Sequence, residues 1–234
     1  MMLKQNKLQP KTWIIFWLFT FAFFASSLFG QIEKENGTLY YREWSRADVS
    51  PPQTRSELLG KPHVGVTYKF DKVIAVVWYN AEDRIVKRER SFYDQNGNPK
   101  TRKVFDGNNQ LVKEFQFRTN AGTLPELKFV FGENFVQIDR YFLVEIDYNS
   151  NGRELLFTIK EISGELICHR QTAYNEDGRK REEIFVNDTN NSIITRTKFK
   201  YDIEKNQTVV EEYDGDANLT SRVVLYGHDD FLTK

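Results

Sequence analysis

From His63 onward, short runs of Val, Ile, Thr, Phe and Tyr alternate with polar residues, and clusters of Asn, Asp and Gly interrupt them every roughly 8–14 residues. That rhythm predicts an all-β chain of hairpins. The clearest strand covers 193–201: Ile193, Thr195, Thr197, Phe199 and Tyr201 alternate with Ile194, Arg196, Lys198 and Lys200. One face is aromatic and β-branched, the other cationic. Leu219, Ser221, Val223 and Leu225 line one face of a last strand in the same way. The run from Ile85 to Phe92 instead carries charges on both faces. It suits a sheet wet on both sides, where Lys and Arg stems cover aromatic rings and opposite charges pair across strands. Residues 31–63, with Tyr40, Tyr41, Trp44, Pro51, Pro52 and Pro62, show no sustained period. They read as an irregular lead-in holding at most one short helix near 56–59 and packed on the body.

The turns repeat. Tyr93-Asp94-Gln95-Asn96-Gly97, Tyr148-Asn149-Ser150-Asn151-Gly152 and Tyr174-Asn175-Glu176-Asp177-Gly178 share the pattern Tyr-[Asp/Asn]-x-[Asn/Asp]-Gly, with weaker copies beginning at Tyr79, Phe105, Tyr201 and Tyr213. An aromatic that ends a strand packs on the sheet, the next Asx bonds backbone N–H groups, and Gly supplies a positive φ. Aromatics at 93, 105, 117, 129 and 141 stand twelve apart, enough for one strand and one turn. The form Tyr-[Asp/Asn]-x-x-Gly-Arg at 148–153 and 174–179, with Gly164-Glu165-Leu166 midway, resembles the YD repeats of Rhs and teneurin shells. The twelve-residue spacing also resembles MORN-variant hairpin repeats of bacterial proteins. The resemblance covers about 76–226. It implies an extended, twisted antiparallel meander of repeated β-hairpins, left open or curled toward closure, each contacting mainly its neighbours. Encapsulation does not carry over, because the large shells need many more repeats.

Ahead of the lead-in, Lys4, Lys7 and Lys11 precede an uncharged apolar run from Trp13 to Phe29 that ends among Ala25, Ser26, Ser27 and Gly30. This is the order of a secretory signal peptide over 1–30, so the expected organisation is signal 1–30, lead-in 31–63 and hairpin domain 64–234. The implied location is periplasmic, cell-surface or secreted. Membrane contact would come only through an uncleaved N-terminal segment. Lys plus Arg (33) balances Asp plus Glu (33), which removes the basic field of a nucleic-acid binder. Aromatics at 15% exclude disorder, and a single Cys excludes a disulfide framework. Five Asn-x-Ser/Thr triplets begin at Asn36, Asn187, Asn190, Asn206 and Asn218, and arise readily in an Asn-rich chain.

Chemistry has no visible carrier. His63, His169 and His228 lack the spacing of local metal ligands, so no metal or cofactor is expected. Cys168 and His169 are adjacent and must point to opposite faces of a strand, and Cys168 reads as a buried apolar residue. The same geometry separates the members of Glu182-Glu183 and Glu211-Glu212, which read with Asp229-Asp230 as solvated carboxylates paired with cations such as Arg181 and Arg222. A glycosidase would need two carboxylates facing each other across a cleft. A transmembrane barrel would need uncharged lipid-facing strands, which Ile85–Phe92, Arg102-Lys103 and Arg179–Glu183 do not provide.

What remains is surface. Trp44, Trp78 and Tyr79 concentrate aromatics near the start of the fold. They serve either to cap the open end of the array or to stack on a ligand. The expectation is a non-enzymatic exported β-repeat protein offering a surface to a protein partner in the envelope. A carbohydrate-binding module using Trp44, Trp78 and Tyr79 on a glycan stands second, and an envelope hydrolase with distant carboxylates last.

Overall fold

A computed structural model describes residues 36–46 and 50–226; the segment 1–30 read as a signal peptide, His228, Asp229 and Asp230 lie outside the described residues. Thirteen strands follow one another: β1 Gly37–Tyr41, β2 His63–Lys69, β3 Lys72–Tyr79, β4 Ile85–Tyr93, β5 Pro99–Asp106, β6 Leu111–Arg118, β7 Phe142–Tyr148, β8 Glu154–Glu161, β9 Leu166–Tyr174, β10 Lys180–Asn187, β11 Ser192–Asp202, β12 Gln207–Asp214 and β13 Leu219–Tyr226. Each pairs antiparallel with its sequence neighbours, so the spatial order is the chain order and the sheet is an open meander. β1 lies inside the segment read as irregular, so the lead-in contributes a strand as well as the short helix α1, Arg55–Leu58.

One turn geometry recurs at seven hairpins. The N–H of Asn80, Asp94, Asp106, Asn149, Glu161, Asn175 and Asp214 donates to the carbonyl four residues on, and the N–H three residues on donates back, at 2.8–3.1 Å. The residue at that third position is left-handed each time: Asp83, Gly97, Asn109, Gly152, Gly164, Gly178 and Ala217. This is a type I turn closed by a left-handed bulge residue. The penultimate Asn or Asp of the motif is not left-handed; its neighbour alone takes the positive φ. The leading Asx carboxylate or amide oxygen accepts backbone N–H groups, as Asp94 does from Asn98 at 2.8 Å and Asn149 from Arg153 at 3.0 Å. The β2–β3 link differs, with Phe70 and Asp71 both at positive φ in a two-residue turn.

Following the register assigns every strand residue to one of two faces. On the front face Tyr41 meets Val64, Leu39 meets Val66, and these meet Trp78 and Val76 across β2–β3. With Tyr68 they form a first apolar cluster. The second core lies on the back face, where Phe142, Val144 and Ile146 of β7 oppose Glu161, Ile159 and Phe157 of β8, and Ile159 opposes Cys168. Residues 119–141 cover that core. The twelve-residue spacing through Phe129 and Tyr141 predicts further strands there; the chain instead forms three 3-10 turns and the helix α2, Lys128–Phe131. Pro125 supplies no N–H to a ladder and starts a 3-10 turn, while Ala121, Leu124 and Leu127 recur at helical intervals and are fully buried. Phe129 and Tyr141 are each 58% exposed, so their place in the twelve-residue series carries no strand packing.

Gly152 has φ 73° and open space where a Cβ would stand, so Gly152→Ala tests backbone strain alone. It should destabilise the protein by about 1 kcal/mol, and Ala217→Gly, at φ 64°, should stabilise it by a similar amount, read from urea midpoints. Hydrogen bonds from Asn98 to Asp94 and from Asn218 to Asp214 hold two turns in parallel ways, and both carboxyls lie below the ordinary aspartate range. Because folding depresses these pKa values, their contribution is present above the unfolded aspartate pKa and is lost as pH falls through the folded value. Asp94→Asn with Asp214→Asn keeps the oxygen that accepts the backbone N–H groups, loses the one that accepts from the Asn98 or Asn218 side chain, and should flatten the acid limb of a thermal-stability profile.

Candidate functional site

The lead-in wraps the outer edge of β1. Trp44 packs against the front cluster, the Gln53 N–H donates to the Tyr40 carbonyl at 2.8 Å on the far side of β1, and α1 brings Arg55 to the back face. The helix begins where the Glu57 carboxylate accepts the Thr54 N–H at 2.8 Å and its hydroxyl at 2.7 Å. These bonds hold Glu57 below the usual carboxylate range.

Trp44 and Trp78 therefore share the front face. The Lys87 ammonium stands 4.3 Å from the Trp78 ring centroid, and the Arg46 guanidinium lies 5.7 Å from Trp44 while reaching Glu89 at 3.4 Å. Tyr79 points the other way, as the strand residue next to Trp78 must. Its ring stacks on His63 at 4.8 Å and 14°, beneath Arg55 at 5.5 Å. The three aromatics thus do not form one platform. His63, 2% exposed, donates Nδ1–H to the Lys61 carbonyl at 2.9 Å, since a carbonyl only accepts; its Nε2 lies 3.4 Å from Asp83, which also binds Arg55 at 2.7 Å. This back-face group clamps α1 to the β3–β4 turn.

The turn tyrosines do more than pack. Tyr93 donates its hydroxyl to the Val73 carbonyl at 2.9 Å, Tyr174 to Glu154 at 2.8 Å, and Tyr201 to Lys180 at 2.8 Å. Each strut spans the open end of a hairpin, β3–β4, β8–β9 or β10–β11. The residue just before each acceptor is a cation over the same ring: Lys72 at 5.2 Å, Arg153 at 5.7 Å and Arg179 at 5.2 Å. Lys72 also donates to the Gly97 carbonyl at 2.8 Å. Burial raises the Tyr174 phenol and pushes Tyr201 up to about 12, so both stay protonated donors. Tyr148 is also pushed up to about 12 by burial. The cations lie 21 or 22 residues ahead of their tyrosines, a period visible in the sequence that the turn motif alone does not include.

The other candidates are structural in their contacts. Cys168 is fully buried, which pushes its thiol up to about 12. His169, on the opposite face, places Nδ1 2.7 Å from the Asp188 carboxylate, a pairing that sequence distance concealed. Glu183 binds Lys180 at 2.8 Å and Glu182 lies 3.5 Å from Arg196, on opposite faces. Glu211 binds Lys200 at 2.7 Å and Arg222 at 3.5 Å, which together with the Tyr213 hydroxyl lower its pKa. Among the described residues no three His, Cys, Asp or Glu side chains converge as metal ligands. A shallow groove of about 360 Å³ crosses β8–β10, where Leu156, Gln171, Ala173, Glu182 and Ile184 share the front face.

No family model matches the chain, and no curated protein matches it. Among solved structures it is similar to a porin-like protein from Bacteroides uniformis, at 9% identity and TM-score 0.27 over 65% of this chain and 50% of that one. It is also similar to TcdB2-TccC3 without its hypervariable C-terminal region, at 10% identity and TM-score 0.19 over 70% of this chain and 12% of that one. A third is the GtfA/B complex bound to UDP and GlcNAc, at 11% identity and TM-score 0.18 over 70% and 22%. The chain spans half or less of the length of each.

Tyr174→Phe removes one strut while keeping the ring. It should cost about 0.5–1.5 kcal/mol, with faster amide exchange confined to the open end of β8–β9. Arg153→Ala should give a smaller loss at the same amides.

Proposed function

We propose that this chain is an exported, non-enzymatic β-repeat protein of the YD or MORN-variant kind, which presents a sheet face to a protein partner in the periplasm or at the cell surface. The observation that carries the reading is the unequal treatment of the two faces. On the back, residues 119–141 bury Phe142, Val144 and Ile159. On the front, β7–β10 present Glu145, Lys160, Leu156 and Ile184, partly exposed, and Gln171, exposed, around the groove. Aromatic rings under cations continue this surface, with Arg102 at 4.0 Å and Lys113 at 5.7 Å from Phe115. Rings and guanidinium groups beside an apolar groove are the side chains that anchor protein interfaces.

The carbohydrate reading draws on exposed aromatic stacking, and the separation of Trp78 from Tyr79 leaves only a tryptophan pair for it. The two readings part in one experiment. A discrete protein that co-purifies from the envelope fraction should be lost with Leu156→Glu and Ile184→Glu and retained with the back-face change Phe129→Glu. Glycan-array binding abolished by Trp78→Ala, with no partner captured, would replace the protein-partner reading. Recovery of a mature chain beginning near residue 31 checks export in the same preparation.

A further inference from the structure

The two ends of the sheet are finished differently. Beyond β1, the backbone of Gln53 pairs with Tyr40 in an isolated bridge, and Pro51-Pro52 precede it, so a further strand meets an occupied edge. Among the described residues β13 pairs only with β12. Apart from a bulge at Thr220 near its start, its outer side carries little of the usual protection: no proline, no lysine, and one arginine, which lies 3.5 Å from Glu211 on the next strand and shares that carboxylate with Lys200. Both of its faces are apolar and exposed, Val223 on the back, Leu219, Val224 and Tyr226 on the front.

We propose that β13 is a dimerisation edge, pairing antiparallel with β13 of a second copy about a two-fold axis perpendicular to the sheet. Unpaired N–H and C=O groups in a row require an extended strand as occupant, and an edge with a single charged side chain among apolar ones favours a mostly apolar one. β13 itself meets both conditions. The occupied β1 edge blocks head-to-tail addition, so pairing closes as a dimer and does not propagate into a filament. Faces must match across the axis, which leaves two registers of full length. One sets Arg222 against Arg222 of the second copy, a like-charge pair directly opposite. The other centres on Val223, setting Arg222 against Val224, Ser221 against Leu225 and Thr220 against Tyr226. The second register is the one assigned.

Purified after expression of the full-length chain, the protein should have the mass of a dimer by light scattering. Val223→Cys should cross-link to a covalent dimer under mild oxidation, because two copies of that residue meet at the axis. The parent, whose single thiol at Cys168 is buried, should not cross-link. Ser221→Cys should cross-link only when mixed with Leu225→Cys. Val223→Lys with Val224→Lys should leave the circular dichroism unchanged and weaken self-association by roughly tenfold or more. A monomeric parent at the highest soluble concentration overturns the proposal, as does a dimer that cross-links through Ser221→Cys alone or ignores both lysines.

Discussion

At seven of the hairpins the N–H of the residue leading the turn, donated to the carbonyl four positions later, governs the rest of this molecule. In an open meander each strand touches only its two neighbours, so no distant pairing can correct a slipped register. Register is therefore decided locally, turn by turn. A one-residue slip at Asp94–Asn98 would move every later side chain to the wrong face. The double lock of backbone pair and Asx oxygen makes such a slip costly, and the left-handed bulge residue gives each turn a fixed length of chain.

Fixed register lets the sheet place its two cores on opposite faces. Near β1–β3 the apolar side is the front, whereas at β7–β10 it is the back. Between them β4–β6 are polar on both sides, with Lys103 facing Glu114 on the back at 3.5 Å and Lys87 bound to Glu89 on the front at 3.0 Å. Such a stretch buries too little to hold itself by the hydrophobic effect alone. Its stability comes from ladder hydrogen bonds, rings covered by cationic stems, and tyrosine struts that tie the open end of one hairpin to its own first strand.

The hairpins were legible because turn chemistry is local. Tyr93 to Gly97 contains the whole instruction for its turn, and the strand from Thr195 to Tyr201 shows its two faces directly, with Lys200 and Arg196 meeting Glu211 and Glu182 on the charged side; at the bulge before it Ile193 leaves the face of Thr195, and Ile194 packs on the back-face core in its place. The faces of different strands could not be related, because bulges such as those at Phe185/Val186 and Glu212/Tyr213 shift the alternation between neighbours. Residues 119–141 misled because Phe129 and Tyr141 keep the spacing of Tyr93 and Phe105 while Pro125 and the spacing of Leu124 and Leu127 set a helical path. The candidate aromatics were legible as residues but not as a site. The alternation that parts Cys168 from His169 also parts Trp78 from Tyr79, and only the fold shows that Trp44 crosses to the front while Arg55 crosses to the back.

The pairing of each strut with its cation explains why a sheet this charged remains ordered on both sides. A tyrosine hydroxyl bonded to a carbonyl is satisfied only while the phenol stays neutral, and burial raises the phenol pKa of Tyr174 and Tyr201. A nearby Arg153 or Arg179 works against that rise, since a cation favours the phenolate. Burial is the larger effect at both rings, so each guanidinium can lie over its ring, attracted by the π-face, without disarming the donor. The cation shields the ring from water, the ring's burial keeps the proton on the hydroxyl, and the hydroxyl fixes the strand from which the cation projects. Each of the three contacts thus preserves the conditions for the other two, and that closed local circuit is what a repeat needs when its neighbours are the only structure it can lean on.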